Sequence, residues 1–186
     1  MIIVLVRGLA VVEVAGGMRV LGIDPGLRLT GWGVIEVDGV HLNHVAHGVV
    51  RPQGKALSTR LLGVYEGIRA VVVEHDPERA AIEQLFVNTD AMGSMKLVHA
   101  RAVAMLAAAQ AGIVVAEYAP NRVKKLVVGA GHADKDQVAY MVRMHLGGAD
   151  IAAGDAADAL AVAITHALLD TRMSRIQAGG SMAVIS

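Results

Sequence analysis

Apolar and polar residues are ordered along this chain in a way that separates strands from helices. Arg19 to Ile23 is a short apolar run that stops at Asp24-Pro25-Gly26, a dense turn signal. Thr30 to Val37 and His41 to Val50 read as two further strands, joined at the hairpin dipeptide Asp38-Gly39. Leu57, Leu61, Val64, Ile68 and Val71 then recur at helical spacing, and Pro77 closes that helix. Ala80 to Glu83 is a fourth short strand. Asp90 to Gln110 reads as a long helix capped by Gly112, and Ile113 to Ala116 as the fifth strand. Asn121 to Val127 is a short basic helix, and Gly129 to His132 a loop. A further helix opens at Asp134-Lys135-Asp136-Gln137 in the manner of a capping box, with Val138, Met141, Val142 and His145 or Leu146 on its apolar face. The last helix runs from near Gly154 to about Leu169, before a polar tail.

Three strands in hairpin order, followed by helix–strand–helix–strand and then helices, predict one α/β domain: a mixed five-stranded sheet flanked by helices. The domain is expected over 18–170, with a flexible tail over 171–186. Residues 1–17 are apolar but broken by Arg7 and Glu13, without the charged start of a signal peptide. They read as a leader, either a gene-model extension before Met18 or an added edge strand.

Composition narrows the function more than the fold. The 186 residues contain no cysteine, which removes disulfide scaffolds, zinc fingers and thiol nucleophiles and fits a reducing cytoplasm. Seventeen basic residues balance seventeen acidic ones, so no general basic coat exists to grip nucleic acid. Aromatics, at 3%, are too few for a stacking platform along single strands. No apolar run reaches the roughly 18–20 residues of a membrane span. Gly48 to Lys55 resembles a phosphate loop only superficially, since the glycine spacing is one too long and Ala56 stands where Ser or Thr is needed.

Acids placed inside apolar elements are the informative residues. Asp24 ends one strand and Glu83 another, while Asp155 and Asp158, three apart, share a face at the start of an Ala-rich helix. Each has a plain alternative. Asp24 can be a turn former, Asp155 a helix cap and Asp158 a first-turn acid favoured by the helix dipole. Glu83 has the least structural excuse, because a strand carboxylate between apolar neighbours costs free energy to bury. If the strands are neighbours, four carboxylates converge, and such a cluster needs a cation to stay ionised. All-oxygen ligation suits Mg²⁺, with Mn²⁺ as a substitute, and two ions would balance four charges in the arrangement that cleaves phosphodiesters.

Between Ala119 and Leu146, Arg122, Lys124, Lys125, Lys135 and Arg143 outweigh Asp134 and Asp136, five against two. This strip is either solvated surface or a set of phosphate contacts beside the acids. Phe86, three residues past Glu83, is either a core filler or an exposed stacking residue beside the chemistry.

Several runs together resemble the RuvC family of Holliday-junction resolvases. They are Gly22-Ile23-Asp24-Pro25-Gly26 with Thr30-Gly31, Ala81-Ile82-Glu83-Gln84-Leu85-Phe86, Val123-Lys124, Ala133-Asp134-Lys135, and Gly154-Asp155-Ala156-Ala157-Asp158-Ala159-Leu160-Ala161. The likeness covers Met18 to about Ala167 in family order. It implies an RNase H-like fold and a homodimeric, metal-dependent endonuclease that nicks two strands of four-way junction DNA symmetrically. It further implies catalytic, metal-holding acids at Asp24, Glu83, Asp155 and Asp158, DNA contacts at Phe86, Lys124 and Lys135, and action alongside the RuvA and RuvB branch-migration proteins. Other functions are an RNase H-like nuclease acting on RNA, a non-catalytic junction-binding module, and a kinase or actin-like protein. The last would need a second domain for which the chain has no room.

Overall fold

The computed structural model describes residues 17–85 and 91–180. Apart from Gly17, the leader lies outside the described residues, as does Phe86. Five strands, β1 (Met18–Asp24), β2 (Thr30–Asp38), β3 (His41–Val50), β4 (Arg79–Glu83) and β5 (Val115–Tyr118), form one sheet in the order β3-β2-β1-β4-β5. The first three run antiparallel in meander order, and β4 and β5 join parallel to β1. This is the expected mixed sheet, and the fold is RNase H-like.

Helices α1 (Leu57–His75) and α2 (Ala91–Gln110) cover one face, where Leu21, Ile23, Val34, Ile68, Ile82 and Ala104 form one core. On the other face, α3 (Pro120–Val127), α4 (Lys135–His145) and α5 (Asp155–Gly180) pack over Val20, Ile35 and Ala81. The division follows strand alternation, since Val20 faces one way and Leu21 the other. Among the described residues, no helix is long and apolar enough to cross a membrane.

Helix α5 is the central element on its face. From Ala157 to Thr165 all but Asp158 are buried, and every second residue is alanine as far as Ala163. Small side chains let it lie against the strands. Gly22 on β1 and Gly31 on β2 carry this approach furthest, because a Cβ on Gly22 would sit 2.0 Å from the Ala159 carbonyl oxygen and one on Gly31 2.0 Å from that of Asp155.

Two elements differ from the sequence reading by more than a single residue. The fifth strand begins at Val115 rather than Ile113. Ile113 belongs instead to the end of α2: its N–H donates to the Ala108 carbonyl while Gly112, at φ 79°, donates to Ala109. This αL closure buries Ile113 in the α1–α2 core. The last helix also continues past Leu169 to Gly180, through the first part of the segment expected as a tail. The capping box at Asp134 is present as read, with Gln137 N–H donating to Asp134 Oδ1 at 2.8 Å and Asp134 N–H donating to Gln137 Oε1 at 3.0 Å.

Candidate active site

The acids converge because of the sheet order and the glycine contacts. Asp24 is the last residue of β1, on the same face as Val20 and Gly22, hence under α5. Thr30, fully buried, holds the turn that follows Asp24: its hydroxyl donates to the Gly26 carbonyl at 2.7 Å and accepts from Gly26 N–H. The β1–β4 ladder is parallel, with Ile23 opposite Ile82, so Glu83 comes level with Asp24 on the neighbouring strand. Gly31, opposite Asp24 on β2, brings the first residue of α5 against the sheet. Asp155 and Asp158 therefore reach the same end of the sheet.

Asp24, Asp155 and Asp158 each present a carboxylate oxygen, and the three oxygens lie within 4.8 Å of one another. Glu83 is not one of this trio, but it lines the same cleft, of about 230 Å³, with Asp24 and Asp158. Pro120, Val123 and Lys124 of α3, Lys135 and Val138 of α4, and Ala161 complete the lining. Three half-buried carboxylates this close, with no sulfur or imidazole among them, are a fitting donor set for a hard divalent cation.

Electrostatics agree with that geometry. The Asp24 carboxyl is pushed up to about 8, first by burial, then by the charges of Asp158, Glu83 and Asp155. Glu83 is also raised, by burial and then by Asp158, with Lys124 and Lys135 acting in the opposite direction. The Lys135 ammonium donates to Asp158 Oδ2 at 3.1 Å, which raises the lysine's own pKa. Without a cation, the cluster relieves its repulsion by keeping a proton on Asp24 and drawing in Lys135.

The basic strip divides. Lys124 and Lys135 line the cleft. Arg122 and Lys125 are exposed on α3 but do not line it. Arg143 is half-buried and donates to the Ile151 carbonyl at 2.8 Å, where it holds the loop before α5 rather than facing a ligand.

Arg101 is a residue that the sequence reading passed over. It reaches from α2 to donate, through Nε, to the Glu83 carbonyl at 3.0 Å, and its guanidinium also pairs with Glu117 of β5. The available signal was a lone cation in the Ala- and Val-rich stretch that packs α2 on the sheet.

The family model for RuvC, crossover junction endodeoxyribonuclease, matches residues 20–166. The RuvC protein of Paracoccus denitrificans is 54% identical over 162 residues, covering 87% of this chain and 99% of its own length. That of Bradyrhizobium diazoefficiens is 57% identical over 155 residues, covering 83% and 89%. Among solved structures, Thermus thermophilus RuvC in complex with a Holliday junction substrate superposes with a TM-score of 0.78 at 33% identity, covering 84% of this chain and 97% of the other. A family model that spans most of the chain and relatives more than half identical to it settle the membership: the chain belongs to the RuvC family of crossover junction endodeoxyribonucleases.

Proposed function

We propose that this protein resolves Holliday junctions, nicking two strands symmetrically in a reaction that depends on a divalent metal ion, within recombination and repair in the cytoplasm. The observation that carries the reading is the meeting of Asp24, Asp155 and Asp158 oxygens within 4.8 Å, with Glu83 and two lysines in the same cleft. Asp24, Asp155, Asp158 and Glu83 are the proposed catalytic acids and would hold Mg²⁺, two ions per subunit, with Mn²⁺ as a substitute. The bound metal supplies water activation and charge stabilisation at the leaving oxygen. Because Asp24 holds a proton near neutrality, loading the site should release one.

The decisive experiment places the protein and Mg²⁺ or Mn²⁺ with a synthetic four-way junction, a linear duplex and an RNA–DNA hybrid. Paired nicks confined to the junction are expected. Preferential cutting of the hybrid would replace this reading with an RNA-directed nuclease.

Lys124 and Lys135 are proposed to contact DNA phosphates, with Arg122 and Lys125 as outer contacts on α3. Lys124→Ala and Lys135→Ala should each lower the slope of log affinity against log salt by about one, the loss of a single phosphate contact. Unchanged slopes in a salt titration would return these lysines to ordinary surface. Phe86 is proposed to stack at the junction.

Two symmetric nicks call for two active sites related by a two-fold axis, so the working form is proposed to be a homodimer. Met95, Val98, Ala102, Leu106 and Ala109 make an exposed apolar stripe along α2, spaced to share one face. Light scattering should give twice the chain mass at micromolar concentration, and Leu106→Glu should lower it to a monomer. A monomer mass for the unaltered protein on junction DNA would oppose this assembly. RuvA and RuvB are the proposed partners in branch migration, on family membership alone.

A further inference from the structure

We infer that Arg101 is a positioning residue for the Glu83 carboxylate, acting from the opposite face of the sheet through the Glu83 backbone. Glu83 is the last residue of β4, and the β1–β4 ladder ends one residue earlier, at the Ile23–Ile82 rung. Beyond that rung, β1 turns away at Pro25. On the other side Glu83 still pairs with Tyr118 of β5, so the backbone that sets the direction of the Glu83 side chain is held by the sheet on one side only. Arg101 also holds it, with Nε donating to the Glu83 carbonyl at 3.0 Å.

The same guanidinium is oriented by Glu117, which sits opposite Ile82 on β5. One planar cation thus joins α2, β4 and β5 at the point where the acid leaves the sheet. The fork geometry of arginine supplies two donors in fixed relative directions, which an ammonium cannot copy. The Arg101 side chain is mostly buried, with an exposure of 18%, although its partner Glu117 is exposed. Its charge is matched by Glu117, and its bond to Glu83 goes to the backbone carbonyl rather than to the carboxylate. Its effect on Glu83 is therefore geometric. Residues that orient a metal-holding carboxylate commonly matter tenfold or more for metal affinity.

This inference rests on reading the four acids as a metal site, and its test separates the two. Mn²⁺ affinity is measured by titration calorimetry for the unaltered protein, Arg101→Met, Glu83→Gln and the double variant. Arg101→Met should weaken Mn²⁺ binding by about tenfold, but by less than about twofold when Glu83 is already glutamine, because the residue it positions no longer carries charge. Arg101→Lys keeps the charge and most of the stem, guards against a misfolded methionine variant, and should still lose at least about threefold. An equal loss from Arg101→Met with and without the Glu83 carboxylate would overturn the proposal, since the arginine would then act elsewhere. So would normal Mn²⁺ affinity in a folded Arg101→Lys. If the unaltered protein binds no Mn²⁺, the four-acid reading fails and this proposal fails with it.

Discussion

Asp24→Asn should cut junctions at least about a hundredfold more slowly than the unaltered protein while binding them as tightly or more tightly. The amide keeps the size of the side chain and removes one of four negative charges, so the site holds its cation less well and loses charge stabilisation of the leaving group. Binding persists because Asp24 already holds a proton in the metal-free protein, so the amide adds no repulsion towards phosphate. Glu83→Gln, Asp155→Asn and Asp158→Asn should show the same split in single-turnover cleavage and gel-shift assays. A variant that cuts normally would remove its residue from the site.

The same substitution should weaken a pH trend in the metal-free protein. The folded chain holds the Asp24 proton up to about pH 8, whereas the unfolded chain releases it near 3.8. Stability from this group is fully present below about 3.8 and is lost as pH rises through about 8. Glu83, raised for the same reasons, adds to the trend. Asp24→Asn cannot ionise, so its melting temperature should exceed that of the unaltered protein by an amount that widens between pH 4 and 8, reaching about 5 °C. A difference that stays constant with pH would mean that Asp24 does not carry the raised pKa.

Much of this arrangement was legible because strand and helix periodicities are local. Val20, Gly22 and Asp24 alternate onto one face from their spacing alone, and the Asp155–Asp158 pair follows from helical geometry. The meeting of the two groups depends on sheet order, which spacing leaves open and the parallel β1–β4 pairing fixes. Arg101 was passed over for a different reason. Its partners are a backbone carbonyl 18 residues away and a carboxylate on another strand, so a lone cation within α2 does not disclose what it bonds. The basic strip could not be sorted from the sequence, because net charge does not distinguish a lysine facing the cleft from an arginine bonded to a backbone carbonyl. Ile113 was placed in β5 because an apolar residue after a helix-ending glycine reads equally well as the cap's buried anchor or as the next strand.

Gly22→Ala should damage the site without changing its charge. The added carbon would lie 2.0 Å from the Ala159 carbonyl oxygen and 2.8 Å from the Ala163 nitrogen, both backbone atoms of α5. No side-chain rotation relieves such a contact, so α5 has to lift from the sheet by about 1 Å. Overpacking of this kind costs about 1–3 kcal/mol, more than the roughly 0.4–1 kcal/mol that alanine gains by restricting the unfolded chain. The melting temperature should therefore fall by about 5 °C. Since Asp155 and Asp158 ride on α5 while Asp24 stays on β1, the trio opens, and a misplacement near 1 Å can cost about a hundredfold in rate. Mn²⁺ affinity should fall even though all four carboxylates remain, which separates this variant from Asp24→Asn. Gly131→Ala is the control, because the nearest atom to its added carbon is 3.9 Å away and its backbone is not left-handed. It should melt and cut like the unaltered protein. If Gly22→Ala does the same, close packing of α5 on β1 is not what brings the acids together.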